Sequence, residues 1–233
     1  MEQSEESPPY GKPDGKQPFL TKDGVYLGKR RFQSEIAATR RRSFLGRRGE
    51  RLTQWAFDQV KTLVGEGYVL DLACGNGRHL PGLLAVTPRV LAADISLPML
   101  LSAKSLPGAS SQALGFFRLD AEKLPFRDNA FDVVFCARFF HHLPSAPLRA
   151  AILAEMFRVA SRGVVLTFKS KHSYEGMTKR LKSRLFGRPL AWYYIDSRET
   201  ARTALAHGWR VTREMASAPI VGSNRVVVME PNR

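Results

Sequence analysis

The stretch from Val69 to Asp94 constrains this chain more than any other. Tyr68-Val69-Leu70-Asp71-Leu72 is a short apolar run and reads as a strand. It breaks at Ala73-Cys74-Gly75-Asn76-Gly77, and a helix is expected from Gly77 through Leu84. Arg89–Asp94 is a second apolar run that ends on a carboxylate. A strand, a glycine turn, a helix and another strand make a parallel crossover. Gly75 and Gly77 let a ligand approach the backbone closely, and the helix start offers unpaired N–H groups to an anion. Asp94, 17 residues after Gly77, stands where a carboxylate accepts hydrogen bonds from a ribose diol. The unit reads as a seat for a nucleoside-containing ligand at the carboxyl end of a sheet.

The same alternation continues down the chain. Strands are expected at Leu114–Asp120, Phe131–Cys136 and Gly163–Phe168, with helices opening at Pro98 and spanning Leu148–Ala160. Residues 169–196 read as an irregular basic and aromatic insert. Ser197 is expected to cap a helix that Gly208 ends, followed by strands Trp209–Glu214 and Asn224–Glu230. The fold class is therefore α/β: a Rossmann-like, doubly wound, mostly parallel seven-stranded sheet with helices on both faces and an antiparallel last strand. Residues 1–24, with four prolines, read as a flexible tail. Residues 25–64 read as a basic helical cap, with a helix over 34–64 broken near Gly46, and 65–233 as the main domain.

Two nucleotide classes are excluded by the loop. Leu80 holds the position of the third glycine of a dinucleotide fingerprint, and no Lys-Ser/Thr pair follows the glycines as triphosphate binding requires. What remains resembles class I S-adenosylmethionine (SAM)-dependent methyltransferases, in particular the group that includes ubiquinone/menaquinone-biosynthesis methyltransferases. The matching pieces are Val69–Gly77, Ala93-Asp94-Ile95-Ser96 with Met99-Leu100, Asp120–Phe126, Asn129–Val134 and His141-His142-Leu143, in that order.

The resemblance implies S-adenosyl-L-methionine as cofactor and assigns roles to residues. Ala73, Cys74, Gly75, Asn76 and Gly77 would line its methionine and ribose side. Asp94 would hold the ribose hydroxyls, with Ile95 against the adenine and Ser96 and Met99 close by. Asp120, Ala121 and Glu122 would meet the adenine edge. Cys136, Ala137 and Arg138 would sit near the methionyl part. Asp71 would orient the loop or reach the amino group through water. His141 or His142 would serve as the base that takes a proton from the acceptor, since imidazole titrates near neutral pH. No metal site is expected, and Cys74 and Cys136 read as small buried thiols.

Charge bears on the acceptor. The chain carries 36 Lys and Arg against 21 Asp and Glu. Most of the excess lies in residues 29–51, with nine basic and two acidic residues, and in residues 169–188, with seven basic and one acidic. Such segments suit an anionic partner: RNA, an anionic membrane surface or a phosphorylated substrate. The aromatic and aliphatic side chains of the insert, with their cationic rim, favour a small or lipid-like acceptor carrying negative charge, methylated on O or C. RNA methylation is the alternative, although Cys136-Ala137-Arg138-Phe139 stands where enzymes acting on base amino groups carry an Asn/Asp-Pro-Pro-aromatic motif. A non-catalytic SAM-binding partner subunit is the third reading. No stretch approaches the ~20 apolar residues of a transmembrane helix, and two cysteines with an acidic N-terminus favour the cytoplasm.

Overall fold

The computed structural model describes residues 47–187, 192–218 and 221–232. The tail over 1–24 and residues 25–46 of the expected cap lie outside these. Helix α1 (Arg47–Val64) comes first. Then follow β1 (Val69–Leu72), α2 (Leu80–Val86), β2 (Val90–Asp94), α3 (Leu97–Lys104), α4 (Ala109–Gln112) and β3 (Gly115–Arg118). The second half holds β4 (Phe131–Cys136), a 3-10 turn (Phe140–His142), α5 (Ala146–Val159), β5 (Ala160–Lys169), α6 (Tyr174–Phe186), α7 (Ser197–Ala206), β6 (Trp209–Ala216) and β7 (Asn224–Pro231).

The seven strands form one sheet in the order β3-β2-β1-β4-β5-β7-β6. β1 pairs in parallel with β2 and β4, and β4 with β5. β7 runs antiparallel between β5 and β6, as the helix-free link between the last two strands requires. Chain order reverses between β1 and β4, which leaves a crevice above their carboxyl ends, where open α/β sheets bind ligands.

Side chains alternate across the strands, so two cores form. Leu70, Leu72, Val134 and Leu166 face α5 and α7, packing with Ile152, Met156, Phe157 and Trp209. Val69, Val133, Phe135 and Val165 face α1 and α2, packing with Leu52, Ala56, Val60, Leu80 and Leu83. Arg47–Val64 is thus part of the sandwich, not set apart from it as the expected cap would be, because its apolar stripe is buried on the sheet. Close helix contact needs small residues: a Cβ on Gly82 would overlap the Phe57 ring.

The insert departs from expectation. Residues 174–186 are not irregular but form α6, capped by Ser173, whose Oγ accepts from Gly176 N at 3.0 Å. Gly187, at φ 60°, ends it in the left-handed region. At the next helix Asp196, not Ser197, is the N-cap and accepts from Arg198 N at 3.0 Å. The helix expected from Gly77 begins only at Leu80, because residues 73–77 are occupied by turns.

Candidate active site

Four loops at the carboxyl edge build the site. The loop after β1 winds through alternating left-handed residues: Ala73 at φ 57°, Gly75 at 57° and Gly77 at 74°. Cys74 N donates to Ala93 O at 3.0 Å, which pins the loop to β2. A Cβ on Gly77 would meet Leu106 and Ala103 within 3.0 Å, so glycine is needed there for packing as well as for φ. A Cβ on Gly75 would meet nothing within 4 Å. Gly75 faces open space.

Asp94 joins this loop to the next one. Its Oδ2 accepts from Gly75 N at 2.8 Å and its Oδ1 from Ser96 N at 2.9 Å. Burial pushes its carboxyl above the usual range, and these backbone donors partly offset that. Each carboxylate oxygen has a second lone pair for a ligand hydroxyl. Ser96 is buried and caps α3, accepting from Met99 N at 3.3 Å. Ile95 is half-buried and its carbonyl accepts from Arg118 Nε at 3.1 Å.

Asp71 lies beneath the loop in β1, fully buried, and its Oδ2 has no partner. Burial, then the charge of Asp94, raises its carboxyl to about 8. A carboxyl left unpaired in a core is costly unless something meets it. Burial also raises both Cys74 and Cys136 thiols, so neither is a nucleophile at neutral pH.

On the far side of β2, Asp120 Oδ1 accepts from Glu122 N at 3.1 Å, making a turn with Ala121 buried and Glu122 exposed. Arg158 holds the end of this loop through Leu124 O, Phe126 O, Glu155 and Asp128.

The loop after β4 faces the other half of the crevice. Cys136 and Ala137 are buried, and Arg138 adopts φ 61° with its N–H donated to Thr167 Oγ1 at 2.8 Å. His141 is buried and its Nε2 unpartnered. The rings of His141, His142 and Trp192 are mutually packed, with centroids 4.3–4.9 Å apart. Tyr193 N donates to His141 O at 2.9 Å. Burial lowers the His141 imidazole well below its ordinary value, and His142, Arg138 and Lys169 add to this. Lys169, at the end of β5, is likewise lowered by burial.

Residues 71–77, 94–96, 136–138 and 141–142 thus lie at the carboxyl ends of β1, β2 and β4, around the crevice that the strand order implies, with 120–122 following β3. Lys169 and Trp192, read from sequence only as parts of a basic aromatic insert, belong to its wall. His79 escaped notice altogether: its Nε2 is buried and unpartnered, and burial drops the imidazole to about 3. Its only signal was its position two residues past Gly77.

Known proteins share part of this sequence and its fold. Residues 70–168 match the family described as methyltransferase domain. Over that stretch, less than half of its length, the chain is similar to this family. Within it the sequence is 36% identical over 101 residues to a ubiquinone/menaquinone biosynthesis C-methyltransferase of Desulfotalea psychrophila, covering 42% of this chain and 39% of that protein. It is 34% identical over 109 residues to a demethylmenaquinone methyltransferase of Lactiplantibacillus plantarum, covering 45% of each. The chain thus spans less than half the length of these curated relatives. Among solved structures, magnesium protoporphyrin IX methyltransferase from Synechocystis with bound SAH superposes at TM-score 0.66 with 18% identity, over 88% of this chain and 98% of that one. The [4+2]-cyclase SpnF shares the fold at TM-score 0.61 and 15% identity, over 78% and 81%. The methyltransferase fold alone does not dictate methyl transfer.

Proposed function

We propose that the chain is a SAM-dependent methyltransferase acting on a carbon or oxygen of a small or lipid-like acceptor that carries an acidic hydroxyl or a carboxylate. The observation that carries this reading is the buried Asp94 carboxylate, tied to Gly75 and Ser96 beside the open space over Gly75. These residues fit a nucleoside sugar, and the orphaned Asp71 oxygen beneath them fits a cationic amino group. When bound, SAM supplies a methyl group already activated on a sulfonium. The chain's task is to align an acceptor for in-line attack.

The far half of the crevice supports the acceptor class. Arg138 and Lys169 both add positive potential at His141, and no carboxylate pairs with Arg138 among the described residues. An ionised phenol or carboxylate would complete this arrangement, and an ionised phenol ring is also nucleophilic at carbon. The aromatic wall of Trp192 and His142 suits a ring. His141, held neutral first by burial and then by its cationic neighbours, has an unpartnered Nε2 to receive the acceptor's proton, and an anion beside it would favour that transfer. The relatives named for quinone biosynthesis make reduced naphthoquinones the first class to test.

Calorimetry with SAM and SAH tests the cofactor, and transfer of a labelled methyl group to 1,4-dihydroxynaphthalene tests the acceptor. Saturable SAH binding that Asp94→Asn weakens at least tenfold is expected. Absence of SAH binding refutes the reading.

A further inference from the structure

We propose that α6 is an interfacial helix that docks the protein on an anionic lipid surface. This goes beyond methyl transfer and stands on α6 alone. The helix is amphipathic in the reverse of the usual sense. At roughly 100° per residue, Tyr174, Met177, Leu181 and Leu185 fall within an arc of about 80°. All four are exposed, by 63, 59, 56 and 66%. On the opposite side lie buried Gly176 and half-buried Ser183. At the root of the helix the small side meets the protein, while the four-residue apolar stripe faces away from it; exposed Phe186 ends the opposite side.

The root of the helix is fixed. Glu175 Oε2 accepts from Ser223 Oγ at 2.7 Å, and a Cβ on Gly176 would meet Ser170 O at 2.6 Å. From Lys179 onward every side chain except Ser183 is exposed. Basic residues flank the apolar stripe on both sides: Arg180 and Arg184 on one, Lys182 on the other. The single acid, Glu175, is taken up by Lys179 at 2.7 Å and by Ser223.

Charge decides what meets this face. A second copy would bring the same cations against each other. Residues 29–46 of the chain carry six basic residues and one acidic, so they too are repelled. RNA would match the cations but has no use for an outward leucine stripe. An anionic bilayer matches both, with the stripe at the acyl boundary and the Lys and Arg groups among lipid phosphates. Because α6 follows β5 at the carboxyl edge, docking would turn the crevice's mouth toward the lipid.

The test is co-sedimentation of the full chain with vesicles of phosphatidylcholine, alone or with about one-third phosphatidylglycerol. Binding to the anionic vesicles is expected, reduced at least tenfold by Leu181→Ser with Leu185→Ser and by Arg180→Gln with Lys182→Gln and Arg184→Gln. All variants should keep the parent's melting temperature and its SAH affinity within twofold. Several results would overturn the proposal. One is no binding to anionic vesicles at low salt, and another is binding that ignores the leucine variants. A third is a lower melting temperature or dissociation of a dimer on Leu→Ser substitution, since either places the stripe in a protein contact. Tight transfer-RNA binding lost with the charges but not with the leucines would assign the helix to nucleic acid. Loss of SAH binding in the parent would instead strike the methyltransferase reading and leave this one standing.

Discussion

Asp71 shows how one buried atom couples folding, ligand and pH. Its carboxyl sits at about 8 in the unliganded fold against 3.8 in an open chain. The folded state therefore holds the proton more tightly. Asp71 costs no stability below about pH 4, costs progressively more from there to pH 8, and its penalty is constant above that. Asp71→Asn should make the unliganded protein more stable by a margin that grows from pH 5 to 8, at about 1.4 kcal/mol per pKa unit. Urea melts at several pH values measure it, and a margin that stays flat with pH would show that Asp71 is not buried as described. Ligand binding should read the same proton. An ammonium arriving near Asp71 favours the carboxylate, so binding at pH 7 should release close to one proton. Calorimetric heats in buffers of different ionisation enthalpy count it, and Asp71→Asn should abolish the dependence on buffer. Arg138 carries a different constraint that only the fold sets: its backbone lies in the left-handed region at φ 61°. That conformation costs a non-glycine residue about 1 kcal/mol and persists where function holds it. Arg138→Gly should stabilise the protein by about that amount in a urea melt while raising the KM for an anionic acceptor. Little of this was legible beforehand: the sequence marks Asp71 and Arg138 as neighbours of the loop, but an unmet oxygen or a positive φ exists only after the chain has folded.

Elements were legible where one face is buried. β1, β2, β4 and β5 announce themselves as apolar runs, and α1 by the three- and four-residue spacing of Leu52, Ala56, Val60 and Leu63, because burial on the sheet demands those patterns. α6 did not, since its apolar positions face outward and lie among basic residues, so periodicity gave no core to assign it to. Helix starts were blurred where a cap and its neighbour are both good cap residues, as at Asp196-Ser197. Tertiary ties that hold elements in register were equally invisible. Arg149 on α5 grips Glu199 on α7 with two bonds of 2.7 and 2.9 Å, and its Nη1 donates to Leu143 O at 2.8 Å. One guanidinium thus fixes two helices and the end of the His141-His142 turn, with side-chain exposures of 10 and 23% for the pair. Arg149→Ala leaves a half-buried carboxylate and an unmet carbonyl and should cost about 2–3 kcal/mol. Glu199→Ala should cost less, because the arginine keeps Leu143. A double-mutant cycle should return a coupling of about 1–2 kcal/mol. Strict additivity would mean that the pair does not form in solution.

At the scale of the whole molecule, the crevice is assembled from the loops that follow β1, β2, β3 and β4 and from the end of β5, with Asp71 and Lys169 nearly a hundred residues apart. No unfolded or partly folded chain brings these groups together, so a ligand of this crevice binds the native state alone. Its binding free energy then adds to stability as RT ln(1 + [L]/Kd), about 2.7 kcal/mol at one hundred times Kd. For a domain of this size each kcal/mol moves the melting temperature by roughly 2–4 °C. SAH at that concentration should therefore raise it by about 5–11 °C. The shift should fall to about half or less in Asp94→Asn at the same ligand concentration, since a site at least tenfold weaker loses about 1.4 kcal/mol or more. It should persist in the α6 leucine and arginine variants, whose side chains touch neither loop. A SAH shift that survives Asp94→Asn undiminished would place the nucleoside somewhere other than over Gly75. The carboxyl-edge crevice would then have to be given up as the seat of the cofactor, while the fold around it stood.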